Sequence, residues 1–411
     1  MNTLAIDFGT SNSAVAVLEA GTPRRLSLEG TAEVLPTAVF FPADRGAMRI
    51  GTAATEALIG GEEGRYMRAL KSVLGTPLFH EKRLIGGKRR ALAEVVTAFL
   101  ATLKTRAEAA TGHSFTHALS GRPVHFHAEP ERDAQAEEDL RGCYLAAGFT
   151  RVSFCFEPEA AALASPALPP GALGLIVDIG GGTSDFSLFR ETPSGVEIIA
   201  SHGIRLGGTD FDRAISLEHA MPLLGHGGQL RREFGPELLP MPADIYVDLA
   251  TWAKIPFLYT QETRNAVARM RKLAVDARAL GRLAEVLKHE IGHDLAFAVE
   301  RGKIEANAGK PGAMIRMGKI ERGLYAEISA ASMAAALARA RADLAEAMAE
   351  TCRLASVTPG QIGAVVLVGG SSLMELVAQE AQALCPGARL ERAEAFTAVI
   401  DGLARAIAGA D

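Results

Sequence analysis

The sequence predicts an α/β fold built from two duplicated lobes. Three observations carry that prediction: a glycine-tipped strand pair near the N-terminus, a near copy of it in mid-chain, and a third glycine turn towards the C-terminal end. The first reads Ala5-Ile6-Asp7-Phe8-Gly9-Thr10-Ser11-Asn12-Ser13 and the second Ile176-Val177-Asp178-Ile179-Gly180-Gly181-Gly182-Thr183-Ser184-Asp185. Each enters on an apolar, β-branched run and leaves on another (14–18 and 186–189), which is hairpin geometry. The third, Val365-Val366-Leu367-Val368-Gly369-Gly370-Ser371-Ser372, follows a buried-looking strand and precedes a helical stretch. A repeated unit of this size implies duplicated α/β lobes.

The remaining elements follow in chain order. Residues 91–111 place Leu92, Val95, Val96, Phe99, Leu100 and Leu103 at helical spacing. Ser120-Gly121-Arg122-Pro123-Val124 reads as a strand end and turn, and 129–148 as a polar helix stopped by Gly148. Phe154-Cys155-Phe156-Glu157-Pro158 reads as a strand that delivers a carboxylate to its end, with proline opening the next helix. The prolines and glycine of Pro166-Ala167-Leu168-Pro169-Pro170-Gly171 mark a lobe boundary. The expected division is lobe I over 1–170, with 396–411 returning to it as a closing helix, and lobe II over 171–395. Lobe II includes an enlarged, mostly helical subdomain at about 213–299. The alanine-rich stretch 331–355 reads as one lobe-surface helix.

Composition narrows the function. With 43 Lys+Arg against 48 Asp+Glu the net charge is −5, and no basic block stands out, so nucleic acid is not an expected partner. The 411 residues allow two or three domains, and 48 % hydrophobic with 22 % charged residues describes a globular chain. Cys143, Cys155, Cys352 and Cys385 are scattered without a Cys-x-x-Cys pair, which argues against a zinc knuckle or a disulfide framework. The chain enters its first β run at once, and no apolar run approaches a membrane span, so a cytoplasmic protein without a membrane partner is expected.

Glycine at a hairpin tip permits positive φ and close approach of peptide N–H groups to an anion. The expected anion is a phosphate. Asp7 and Asp178, at the ends of the entering strands, would repel a bare phosphate and make sense with a divalent cation or its water shell between them. Two such hairpins facing each other would hold a metal nucleotide in a cleft.

These residues resemble the nucleotide-binding domain of the heat-shock protein 70 (DnaK-type) chaperones, in the actin and sugar-kinase ATPase superfamily. The carriers are Asp7 to Ser11, the run Phe156-Glu157-Pro158-Glu159-Ala160-Ala161-Ala162, Asp178 to Asp185, Leu206-Gly207-Gly208-Thr209-Asp210-Phe211-Asp212, Val299-Glu300-Arg301-Gly302-Lys303 and Val368-Gly369-Gly370-Ser371. More closely the chain is similar to the shorter YegD-type members.

The resemblance implies two actin-like, ribonuclease H-like lobes around a nucleotide cleft, with ATP or ADP and magnesium bound there and slow ATP hydrolysis. It implies that Asp7 and Asp178 hold hydrated magnesium. Gly9, Thr10, Ser11, Asn12 and Gly180, Gly181, Gly182 and Thr183 would meet the phosphates. Gly207, Gly208, Glu300, Lys303, Ile304, Asn307, Gly369, Gly370, Ser371 and Leu373 would surround the nucleoside. Lys71, in Leu70-Lys71-Ser72-Val73-Leu74-Gly75, would sit by the γ-phosphate with Glu157 and Thr183 nearby. Lys82, in Glu81-Lys82-Arg83-Leu84-Ile85-Gly86, competes for that role, but the following Gly86-Gly87-Lys88-Arg89-Arg90 reads as an exposed turn.

The chain departs from the family pattern at several positions. Asn12 replaces an aromatic residue, Ile304 and Leu373 stand where two arginines would sandwich a purine, and Asn307 replaces a serine. Phosphate and magnesium binding are therefore expected more firmly than adenine selectivity. The chain ends about where the ATPase domain ends, so peptide holding does not carry over, although a protein client or regulatory partner does.

Three other readings come from the residues. His289-Glu290-Ile291-Gly292-His293 is a complete His-Glu-x-x-His, with Glu321 as a conceivable third zinc ligand, but Ala296 and Val299 break the metzincin extension. A small-molecule kinase of the same superfamily would need an aspartate base such as Asp210 or Asp212. A non-catalytic, actin-like scaffold would bind nucleotide and assemble.

Overall fold

The computed structural model describes residues 2–165, 168–193, 195–232, 235–392 and 397–409. The chain divides into two compact units, one formed by Met1–Gly208 with Arg341–Asp411 and the other by Thr209–Ala340. Of the expected lobe boundary at 166–171, Pro166 and Ala167 lie outside the described residues, as does Phe396 at the start of the expected closing helix.

The first unit begins with strands β1 (Thr3–Phe8), β2 (Asn12–Glu19) and β3 (Thr22–Arg25). β1 and β2 pair antiparallel with Asp7 opposite Ala14, so the Gly9-Thr10-Ser11 segment forms the hairpin tip. Helix α1 (Leu92–Thr111) buries the apolar stripe predicted for it and stops at Gly112, whose φ of 71° lets its N–H return to the Glu108 carbonyl. β4 (His117–Arg122) then pairs parallel with β1, and β5 (Arg151–Phe156) parallel with β4. Between them runs α2 (Pro130–Ala146), opened by proline. β5 delivers the chain into α3 (Glu157–Ala164).

The second hairpin comprises β6 (Leu173–Ile179) and β7 (Ser184–Thr192), continued by β8 (Gly195–Ile204). After the second unit the chain returns through β9 (Ile362–Val368), parallel to β6, and β10 (Arg389–Arg392), parallel to β9. The strand orders of the two sheets are β3-β2-β1-β4-β5 and β8-β7-β6-β9-β10. The two orders match position for position, so the duplication seen as a motif repeat is also a duplication of topology. β1, β2, β6 and β9 are buried almost throughout, as expected of strands covered on both faces, and hence their unbroken apolar runs.

The second unit is largely helical. It holds α4 (Gln261–Leu273), α5 (Ala277–Lys288) and α6 (Gly292–Asn307), with α7 (Ala330–Ala336) near its end. Thr260 and Asp276 cap α4 and α5 through their side-chain oxygens. Trp252 packs edge-on against Phe297 at 5.0 Å and donates its indole N–H to Asp212 at 3.2 Å. The alanine-rich stretch read as one helix is two: α7 ends at Ala336, Leu337 follows as its C-cap, and α8 (Ala338–Leu354) begins directly after it. An alanine run carries no glycine or proline to mark such a break. Leu337 itself is fully buried there, so tertiary packing fixes the break.

The last helix, α10 (Ala398–Ala406), follows α9 (Glu375–Leu384) and β10. It packs on α3, β1 and β2, and its Val399, Ile400 and Leu403 share one apolar cluster with Ala160–Ala162 of α3 and with Ile176 and Val366 of the second sheet. Arg25 of β3 clasps Asp401 through two 2.8 Å hydrogen bonds, and Arg405 caps the Leu163 carbonyl.

Candidate functional site

Four glycine segments of the first unit meet at the ends of its two sheets. A Cβ on Gly181 would lie 2.5 Å from the Ser11 hydroxyl and 3.0 Å from Thr10 Cβ, so the two hairpin tips are in direct contact. One on Gly207 would lie 2.5 Å from the Gly182 nitrogen, and one on Gly208 2.2 Å from the Ser371 hydroxyl. Gly369, at φ 83°, leaves only 2.6 Å between such a Cβ and an Asp178 carboxylate oxygen. Side chains at these glycines would block this packing. The Gly208 N–H donates to the Gly180 carbonyl at 3.0 Å, tying the second hairpin tip to the Gly207-Gly208 segment.

Carboxylates gather beneath these turns. Asp178 stands opposite Asp185 across the β6–β7 pair. Burial, then Glu157, raises the Asp7 carboxyl to about 7 and the Asp185 carboxyl to about 8. Burial also lifts Asp178 well above the usual range, reinforced by Glu157, Asp185 and Asp7. Asp185 has a structural anchor as well, accepting from the Val124 N–H at 2.6 Å. No role was foreseen for it in the sequence, although its place follows from the length of the Gly180 to Thr183 turn.

Among the described residues Lys71 is the one cation placed among these acids. Its ammonium donates to Glu157 at 2.6 Å, and both residues are buried. Burial disfavours the ammonium, but Glu157, Asp7 and Asp185 together hold its pKa above the usual lysine value. The turn Leu70–Val73 that carries Lys71 follows Ala69, held in the left-handed region at φ 58°. It is fixed on three sides: the Leu74 carbonyl accepts from His127 at 2.7 Å, the Gly75 N–H donates to Asp139 at 2.9 Å, and the Ser72 carbonyl accepts from Arg205 at 3.0 Å. Lys82 instead lies exposed beside a separate hairpin.

Burial makes these acids hold their protons, a hard divalent cation would favour their ionised forms, and all the donors are oxygens suited to magnesium. Among the described residues no three His, Cys, Asp or Glu side chains are grouped to hold a metal directly.

The acids also make stability depend on pH. Asp185 titrates near 3.8 when unfolded and at about 8 when folded, so the folded chain binds this proton more tightly. Between about pH 4 and 8 folding therefore takes up a proton, and stability of the ligand-free chain falls as pH rises through that window. Urea midpoints at pH 5.5 and 8 are expected to show the fall, and Asp185→Asn to flatten it. An unchanged slope in the variant would remove Asp185 as its source.

The remaining expected residues lie on α6 of the second unit. Glu300, Lys303, Ile304 and Asn307 share one stripe of that helix by spacing. Lys303 is buried and its ammonium lies 2.7 Å from Asp212, whose other oxygen takes the Trp252 indole. This pairing also occupies the aspartate considered as a kinase base. Ile304 is 58 % exposed, and in the first unit Leu373 is 42 % exposed.

The His-Glu-x-x-His motif does not form a zinc site. α5 ends before His289, Glu290 turns with φ 55°, and α6 starts at Gly292, so the two histidines sit on different helical segments. His289 is exposed and bonded to Glu285, His293 is buried against Trp252, and Glu321 is clasped by Arg278 and Arg282.

A family model described as Hsp70 protein matches residues 3–224, more than half of the chain. The chain belongs to the Hsp70 family. The matched span takes in both hairpins, the Lys71 turn, Glu157 and the Gly207-Gly208 loop, so the geometry above and the family assignment concern the same residues. Membership in the Hsp70 family places the fold among the actin-like ATPases and supports a nucleotide-binding, chaperone-like ATPase domain. Among the described residues no helix is long and apolar enough to cross a membrane.

Proposed function

We propose that this Hsp70-family chain binds ATP and ADP together with magnesium, hydrolyses ATP slowly, and uses nucleotide state to set a conformation that a client or regulatory protein reads. The observation that carries the proposal is the convergence of the glycine turns on a buried Lys71–Glu157 pair flanked by Asp7 and Asp178. The hairpin N–H groups and the hydroxyls of Thr10, Ser11 and Thr183, with Asn12 beside them, are assigned to phosphate oxygens. Gly207, Gly208, Gly369, Gly370 and Ser371 are assigned to the nucleoside, with Leu373 as an apolar contact in place of an arginine. The α6 residues Glu300, Lys303, Ile304 and Asn307 remain candidates on family resemblance alone.

Phosphoryl transfer asks a protein mainly for position and charge. Lys71 supplies a fixed positive charge that costs no reorganisation, because Glu157 and the turn contacts already hold it. Glu157 has a second oxygen with which to orient a water. Asp7 and Asp178 would hold magnesium through its waters, and the ion would neutralise phosphate charge.

Calorimetric titration of ADP, with magnesium and again with EDTA, tests the binding half. Affinity is expected to drop at least tenfold without magnesium and to lose that metal dependence in Asp178→Asn. Gly207→Ala, whose Cβ would strike the Gly182 backbone, is expected to weaken ADP binding about tenfold or more. The absence of saturable nucleotide binding would overturn the proposal.

A further inference from the structure

The Arg83–Ile85 and Lys88–Arg90 strands form a two-stranded hairpin in the first unit, and nothing in the nucleotide site uses it. Its turn is Gly86-Gly87, with φ values of 56° and 73°, the two positive angles that a type I′ turn requires. In such a hairpin Ile85 and Lys88 close the turn as a hydrogen-bonded pair. Leu84 and Arg89 are then a pair whose peptide groups point away from each other. The Leu84 carbonyl does turn outward, accepting from Arg65. By the same geometry the Arg89 N–H and carbonyl face the open edge of the second strand, which pairs with no third strand among the described residues.

The two faces of the hairpin differ. On the inner face Ile85 is 1 % exposed, Gly86 leaves no room beside the Phe41 ring, and the Arg90 guanidinium lies 5.1 Å above that ring. On the outer face Leu84 is 67 % exposed, directly opposite Arg89. Five cations (Lys82, Arg83, Lys88, Arg89 and Arg90) fall within nine residues that contain no acid, in a chain whose net charge is −5. Arg83 pairs with Glu81, and the Arg89 side chain reaches only the Lys82 carbonyl. Lys82, Lys88 and Arg89, with Arg45 beside Gly87, have no carboxylate partner among the described residues.

We propose that this hairpin is a docking site for an extended acidic segment of a partner protein, which adds as a third strand along the Lys88–Arg90 edge. Strand addition draws on the outward peptide groups of Arg89, acidic side chains meet the cations, and an apolar residue of the partner covers Leu84. Lysine and arginine on an edge also serve to prevent unwanted pairing, but protection alone does not call for the 67 % exposed Leu84 on the outer face across from Arg89. A membrane surface is a poorer occupant, since one leucine without aromatic neighbours offers little to insert. An RNA strand would seek stacking rings, and the nearby Phe41 is covered by Arg90.

The test is fluorescence anisotropy of a labelled peptide of alternating Glu and Val with the full chain. Saturable binding in the micromolar range is expected, weakened at least tenfold by Lys82→Glu/Arg89→Glu and, separately, by Leu84→Ser. A peptide N-methylated at alternate residues is expected to bind at least tenfold more weakly, because it cannot complete the strand ladder. Equal binding of the N-methylated peptide would overturn strand addition. No binding below about 1 mM, or tighter and equally charge-dependent binding of phosphatidylserine vesicles or polyuridylate, would overturn the protein segment as occupant.

Discussion

Lys71→Ala is expected to lower the rate of ATP hydrolysis by about a hundred- to a thousandfold, the usual cost of removing one prepositioned charge from a transition state. Affinity for ADP should change less than about tenfold, because the hairpin turns proposed to meet the phosphates do not depend on this side chain. The variant leaves Glu157 buried without its cation, which can itself cost about 3–5 kcal/mol of stability. Lys71→Met, which keeps most of the volume, and the double variant with Glu157→Gln separate the effects. If catalysis follows the charge, both stay inactive while the double variant recovers stability. Wild-type turnover in a folded Lys71→Met protein would take the lysine out of the mechanism. Lys82→Ala is the companion measurement and is expected to leave the rate within about twofold.

Gly402→Val is expected to have the largest effect on stability. Where α10 crosses α3, a Cβ on Gly402 would lie 1.7 Å from the Ala160 carbonyl oxygen, well inside contact distance. The helices can admit it only by separating, and their separation would open the apolar cluster that joins both sheets. The cost should be at least about 3 kcal/mol, which for a domain of this size lowers the thermal midpoint by on the order of 10 °C. Gly387→Ala, at an open position with nothing within 4 Å of the added carbon, is the control and should melt like the wild type. A Gly402→Val protein with an unchanged midpoint would mean that the α3–α10 crossing is not a point of close packing.

The sequence and the structure agree where the signal is local. Glycine turns after β-branched runs, the apolar stripe of α1 and the proline start of α3 are written in neighbouring residues and survive into the fold. The matching strand orders of the two sheets could be anticipated from the repeated motif, because a duplicated hairpin brings its neighbours with it. Where distant groups decide, sequence pattern is mute. The break between α7 and α8 depends on burial of Leu337, and the pairing of Lys303 with Asp212 joins residues far apart in the chain. Lys71 and Lys82 both resemble the family's lysine motif, and the structure buries the first, the one preferred on sequence, beside Glu157. What decides is the turn after Ala69 with its contacts to His127, Asp139 and Arg205, none of which lies near Lys71 in sequence. From sequence alone the basic hairpin reads only as an exposed turn, because which of its peptide groups face outward depends on the pairing register.

The most direct test of the account is phosphate release from magnesium-ATP by the purified chain with no acceptor added, measured beside an Asp7→Ala control. The account predicts slow release that continues without acceptor and disappears in the control. Tight nucleotide binding without phosphate release would contradict it and favour a kinase awaiting its acceptor or a scaffold that only binds.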